Sequence, residues 1–117
     1  MGNQWEIIYY TSLTGANPVR DFISCLNENT QAKVARTLDL LSKYNIFVRE
    51  PHTKKLSGTP LWELRILGKD NIRLFYVTVL HKSFLLLHGF VKRENKTPRR
   101  EINVALARLV DWQNREG

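Results

Sequence analysis

Apolar positions along the chain change period twice, dividing it into a helical front, a β-rich middle and a last helix. Trp5-Glu6-Ile7-Ile8-Tyr9-Tyr10 is rich in β-branched and aromatic residues and predicts a strand. Gly15 and Asn17 mark a turn. Asn17 then serves as a helix cap with Pro18 in the first helical position, and Val19, Phe22, Ile23 and Leu26 follow at i, i+3, i+4 and i+7. After the polar break Asn27-Glu28-Asn29, helical spacing resumes through Val34, Leu38 and Leu41, with Ala35 and Tyr44 beside them, until Asn45 stops it. The chain therefore opens as a strand followed by a helical hairpin.

From Arg49 the character changes. Pro51, Gly58 and Pro60 punctuate a basic loop that holds Lys54, Lys55 and Leu56. Leu61 to Leu67 then alternates, with Trp62, Leu64 and Ile66 on one side and Glu63 and Arg65 on the other. Gly68-Lys69-Asp70-Asn71 reads as a hairpin turn, Ile72 to Leu80 pairs back, and a second turn at His81-Lys82-Ser83 leads into Phe84 to Lys92. Three strands joined by short turns make an antiparallel meander. Thr97-Pro98 repeats the cap-then-proline signal, and Ile102, Ala105, Leu106, Leu109 and Trp112 hold helical spacing. The order β-α-α-β-β-β-α predicts an α+β fold, a small antiparallel sheet with helices packed on one face.

Length adds that residues 1–117 form a single domain with one core. The apolar run around Phe84 to Leu87 is broken by His81, Lys82 and His88, so no membrane span is expected. MGNQWEIIYY lacks the basic-then-apolar order of a secretory signal. Cys25 has no partner for an internal disulfide and is expected to be a small core residue, in keeping with a reduced, cytoplasmic setting.

Charge changes the picture more. The net charge is +7, and its distribution is uneven: residues 1–48 carry four basic and four acidic side chains, whereas residues 49–117 carry fourteen and seven. The second portion is expected to meet something negative, with a polyphosphate ahead of an acidic protein or an anionic membrane surface. Strand parity places Arg65 and Arg73 side by side across the Gly68–Asn71 turn, on the face away from Trp62, Leu64 and Ile66. Two readings stand. They are solvated strand arginines, one neutralised by Glu63, or they hold a scissile phosphate, for which planar guanidinium groups are suited. The run Lys92-Arg93-Glu94-Asn95-Lys96-Thr97-Pro98-Arg99-Arg100 places five basic residues and one acid at a strand end and helix start, either a solvated charged loop or a phosphate-binding one.

The histidines are weaker signals. His88 shares alternation with Phe84, Leu86, Phe90 and Lys92, which favours a satisfied sheet-face residue over a catalytic base; His52 sits in a freer loop, and His81 in a turn. His52 and His88 are thus the candidate general bases. No His/Cys pair has metal-ligand spacing, no carboxylate cluster suits paired magnesium ions, and neither a P-loop nor GxGxxG is present, so neither metal nor cofactor is expected. RNA can still be cut without metal, by attack of its own 2′-hydroxyl on the adjacent phosphate, if cations stabilise the phosphorane.

The strings Lys54-Lys55-Leu56, Leu61-Trp62-Glu63-Leu64-Arg65, Ile72-Arg73-Leu74-Phe75-Tyr76, Leu87-His88-Gly89-Phe90-Val91-Lys92-Arg93 and Lys96-Thr97-Pro98-Arg99-Arg100-Glu101-Ile102, with Ala105, stand in an order that resembles the phage-derived, HigB-like branch of the RelE/ParE toxin superfamily. The likeness runs from about Lys54 to Leu109. It implies a RelE-like fold and the toxin of a type II toxin–antitoxin pair, a metal-independent, ribosome-dependent endoribonuclease that cuts messenger RNA and stops translation. By the same resemblance Arg73 contacts the scissile phosphate, and Lys92 and Arg93 match the basic pair that ends the last strand; with the strand-parity reading of Arg65, and with Glu63 as a proton carrier, the candidate catalytic set is Arg73, Arg65, Lys92 and Glu63, and the candidate RNA-binding set is Lys54, Lys55, Arg93, Lys96, Arg99 and Arg100. Glu63 stands where a lysine is expected, and Arg99 where RelE-type toxins carry a tyrosine. The implied partners are a helix-turn-helix antitoxin in a hetero-oligomer, messenger RNA and the ribosome, with Tyr44, Ile46 and Phe47 as a plausible antitoxin contact. A ParE-like inhibitor of DNA gyrase and a non-catalytic binding protein of the same fold are the alternatives.

Overall fold

The computed structural model describes residues 4–49 and 51–116. Residues 1–3, 50 and 117, which the single-domain expectation includes, lie outside the described residues. A strand β1 (Glu6–Tyr9) leads to helices α1 (Pro18–Ser24) and α2 (Glu28–Tyr44), then a 3-10 turn at Asn45–Phe47. Strands β2 (Thr53–Lys55), β3 (Trp62–Ile66), β4 (Ile72–Val79) and β5 (Ser83–Val91) follow, and α3 (Arg99–Glu116) ends the described chain. Among the described residues no helix is long and apolar enough to cross a membrane.

Local chemistry sets the helix bounds. The Asn17 side chain accepts from the Arg20 N–H, with Pro18 beside it, and that of Asn27 accepts from the Thr30 N–H at 2.9 Å. Asn45 ends α2 by adopting φ 45°, a left-handed conformation asparagine tolerates better than most residues. Cys25, expected in the core, is exposed at the end of α1, where the helix stops before its side chain can turn inward.

The five strands form one sheet in the order β1-β5-β4-β3-β2. The predicted meander is present as β3-β4-β5, but the sheet is not wholly antiparallel, because β1 lies parallel to β5 at the far edge. The basic loop also contributes a strand: β2 pairs antiparallel with β3 and forms the other edge.

Helices cover both faces, in contrast to the one-sided packing expected from β3. Val19, Val34, Leu38 and Leu41 of α1 and α2 pack on Leu64, Ile66, Ile72, Leu74, Tyr76, Phe84 and Leu86. Ala105 and Leu109 of α3 pack on the opposite side with Phe75, Val77, Leu85, Leu87 and Phe90. Only β3 alternates apolar with charged residues. The near-continuous apolar runs Leu74–Val77 and Phe84–Leu87 belong to strands buried on both faces.

A register shift opposite Phe75 and Tyr76 leaves Leu87 as the extra residue of β5, since Phe75 pairs with His88 and Tyr76 with Leu86. It resets the parity of the strand. Phe84 and Leu86 face α1 and α2, whereas Phe90 faces α3 and His88 bonds to it. The simple alternation predicted for His88 with Phe84 and Leu86 is therefore corrected by the bulge.

Candidate functional site

The end of β3 and the start of β4 bring three charged side chains together on the α3 face. Arg65 and Arg73 are Cα partners across the hairpin, as the turn spacing predicted. Glu63 is 1% exposed, and its carboxylate oxygens lie 3.7 Å from Arg65 Nε and 3.9 Å from Arg73 Nε. Both distances exceed a hydrogen bond, and both Nε atoms are buried without a hydrogen-bond partner. Two guanidinium groups thus share one carboxylate, which leaves the cluster with a formal excess of one positive charge and unused donors.

Burial lowers the pKa of Arg73 from its ordinary value, with Glu63 acting against that shift and Arg65 adding to it. The guanidinium stays charged at neutral pH. Its NH1 donates to the carbonyl of Ile72 at 3.2 Å, which fixes the plane of the group. α3 packs over β5, and the Arg65 and Arg73 side chains remain 24% and 15% exposed.

Thr97 completes the cluster. Its hydroxyl donates to Glu63 Oε2 at 3.2 Å and thereby ties the basic segment between β5 and α3 to the sheet. Sequence reading assigned Thr97 only a capping role. The helix instead begins with the carbonyl of Pro98, which accepts from the N–H groups of Glu101 and Ile102.

Other predicted residues fall into distinct places. Lys54 lies level with Glu63 on the edge strand, and the ammonium of Lys55 bonds to the carbonyl of Thr59. Lys92 follows β5 directly, with its N–H bonded to the carbonyl of Asn71 at 2.8 Å, which keeps it at the Arg65–Arg73 end of the sheet. Arg93 and Arg100 line a separate cleft beside the end of β5 with Phe22, Gly89, Glu94 and Glu101. There Arg100 is engaged by Glu94 at 3.6 Å and Glu101 at 3.7 Å. Arg99 and Lys96 sit at the start of α3 and in the loop before it.

Neither candidate general base joins the arginine pair. His52 lines a cleft with Lys33, Arg36, Thr37 and Leu40 of α2 and with Leu67. His88 is held by α3: Nε2 lies 2.6 Å from Glu101 Oε1, and Arg108 donates to Nδ1 at 3.2 Å while also reaching the carbonyl of Leu87 at 2.9 Å. An arginine donates only, so Nδ1 is the acceptor and Nε2 carries the proton. Burial lowers the pKa of His88, Glu101 opposes this and Arg108 reinforces it. The ring also stacks on Phe90 at 5.6 Å.

Arg108 and Glu101 were missed as a pair, although their signal was present. Glu101, Ala105 and Arg108 follow i, i+4, i+7 spacing, which sets two charged residues on the face of α3 that carries buried Ala105. Further along, Tyr10 donates to Asp111 Oδ2 at 2.6 Å, and Arg115 joins Asp111 at 2.9 Å. The helix is fastened to the sheet by a polar seam alongside its apolar contacts.

A third surface lies at the far end of α2, where Tyr44, Ile46 and Phe47 are 56%, 60% and 70% exposed. The sequence of the chain, compared with known families, matches the model described as "Phage derived protein Gp49-like (DUF891)" over residues 21–110. That span contains the end of α1, all of α2, the meander, Glu63, Arg65, Arg73 and Thr97. No curated protein matches the chain.

Proposed function

The chain belongs to the phage-derived Gp49-like family, and from that premise together with the Arg65–Glu63–Arg73 cluster we propose that it is the toxin of a toxin–antitoxin pair, acting as a ribosome-dependent endoribonuclease on messenger RNA. The family is associated with toxins of such pairs. The observation that carries the catalytic part is the pair of buried, unpartnered Nε donors beside a single carboxylate.

In this reading the RNA 2′-hydroxyl attacks the adjacent phosphorus and gives up its proton to water, the bond to the 5′-oxygen breaks, and that oxygen takes a proton from water as it leaves, so that a 2′,3′-cyclic phosphate and a 5′-hydroxyl form. Arg65 and Arg73 hold the non-bridging oxygens and stabilise the charge that builds on them, a role for which fixed donors in a partly buried site are effective. Glu63 acts as their counter-ion, not as a metal ligand: it allows two guanidinium groups to sit side by side before substrate arrives. Lys92 and Lys54 extend the positive field along the strand of RNA. The antitoxin is assigned to the apolar ridge Tyr44, Ile46 and Phe47, and the setting to the cytoplasm.

The test follows from the nucleophile. A message carrying a single 2′-O-methyl group at the mapped cut, presented on programmed ribosomes, is expected to survive there while the unmodified message is cut. Equal cleavage of both removes the 2′-hydroxyl from the mechanism and overturns the proposal.

A further inference from the structure

The edge strand β2 joins basic surfaces on opposite faces of the sheet. On one face Lys54 lies level with Glu63, beside the arginine pair. On the other, Lys33, Arg36 and Thr37 of α2 line a second cleft with Leu40, His52 and Leu67. The two are adjacent through the backbone, because the Arg65 N–H donates to the carbonyl of His52 at 2.7 Å.

The second cleft has the chemistry of an anion site. Lys33 and Arg36 lie three residues apart on one helix face, where like charges repel. Neither forms an ion pair among the described residues, while Lys43 further along α2 does, with Asp39 at 3.1 Å. The Lys33 ammonium lodges over Gly68, where a Cβ would come within 2.8 Å of Nζ. His52 Nδ1 is shielded from solvent yet has no hydrogen-bond partner. Two cations therefore line, together with His52, a cleft that offers them no carboxylate among the described residues.

We propose that the Lys33–Arg36–His52 cleft is a second phosphodiester-binding site, which takes the backbone of single-stranded RNA after it rounds the β2 edge from Arg65 and Arg73. Exposed Lys54 lies on that path. The inference rests on the RNA-cleaving reading and adds a contact that sets how long a strand the protein holds.

The test is fluorescence anisotropy with uncleavable 2′-O-methyl oligoribonucleotides, a 4-mer and a 12-mer, across a KCl series. At 3.4 Å or more per nucleotide a 12-mer extends about 40 Å, comparable to the 38 Å longest extent of the molecule, whereas a 4-mer does not span two sites. The variants are Lys33→Ala/Arg36→Ala and, with the same loss of charge at the far end of α2, Lys43→Ala/Lys82→Ala. For the 12-mer the first variant should bind roughly tenfold more weakly, with a log K against log salt slope shallower by about 1.4, two phosphate contacts at about 0.7 each. The 4-mer should bind both variants alike. Equal 12-mer binding by the two variants overturns the second site and leaves the RNA reading standing. Failure of the wild type to bind either oligonucleotide also overturns the second site, while the cleavage reading is decided separately by the assay on programmed ribosomes. Circular dichroism and thermal unfolding confirm that the alanines, good helix formers, leave α2 intact.

Discussion

The Thr97 hydroxyl reaches across 34 residues of chain to donate to Glu63 Oε2 at 3.2 Å, joining the segment that carries most of the basic run to the one buried carboxylate among the arginines. The link makes loop position and site charge a single property. Thr97→Val keeps the shape and removes the donor. We expect a loss of about 1.5–3 kcal/mol in urea unfolding, as for a hydrogen bond to a charged group, together with slower cleavage, whereas Thr97→Ser should retain most of both. A valine variant that unfolds and cuts like wild type would remove the hydroxyl from the account.

Glu63→Gln leaves two guanidinium groups beside one another without a counter-ion. Removing one partner of a buried charged set is destabilising, by about 3 kcal/mol or more when burial is complete and less here, where the arginines are 24% and 15% exposed. An anion that enters the gap should offset the loss. Titration with sulfate should therefore raise the unfolding temperature of the variant by more than that of the wild type. Parallel responses would mean that the two arginines do not form an anion site.

The histidine pinned by α3 predicts a pH dependence of stability. The folded-state pKa of His88 is depressed, chiefly by burial, so between the ordinary 6.5 and the lower folded value the unfolded chain binds more protons than the native one. Its contribution is fully present above pH 6.5 and is lost as pH falls through the folded pKa. Urea midpoints measured at pH 7.5 and pH 5.5 should drop for the wild type and drop less for His88→Gln. An identical drop in both assigns the acid sensitivity to other groups.

Gly89 tests the packing that carries the site. A Cβ there would stand 2.6 Å from Phe22 Cδ2 and 2.9 Å from Leu74 Cδ2. Gly89→Ala should cost about 1–3 kcal/mol, the usual range for overpacking a filled core, and Phe22→Leu in the same chain should recover part of it. No change in the unfolding midpoint of the single variant would contradict the closeness of α1 to β5.

The elements were legible because their signals were local. Asn17-Pro18 announced α1, and the Gly68–Asn71 turn fixed the Arg65–Arg73 pairing that sets the candidate site. The β5 bulge was hidden, since an extra residue changes parity without leaving a mark in the apolar run Phe84–Leu87. The two-sided burial of β4 and β5 was written in such runs, yet β3, with Glu63 and Arg65, suggested an open face. Thr97 and Glu63 are distant in sequence, and no periodicity relates them. Charge counting found the basic half of the chain but did not separate Arg93 and Arg100, which meet Glu94 and Glu101, from Arg65 and Arg73.

The central claim is that the arginine pair holds the phosphate being cut. It is tested most directly by primer extension on a reporter message in a translating extract, comparing wild type with Arg73→Ala and Arg73→Lys at matched folded concentration. The account predicts discrete cuts within the coding region for the wild type, with a loss of about a hundredfold or more for alanine, as for removal of a transition-state donor. Lysine, which keeps the charge but not the planar fork, should recover little. Growth arrest without cuts by the wild type, or cuts undiminished in Arg73→Ala, would contradict it.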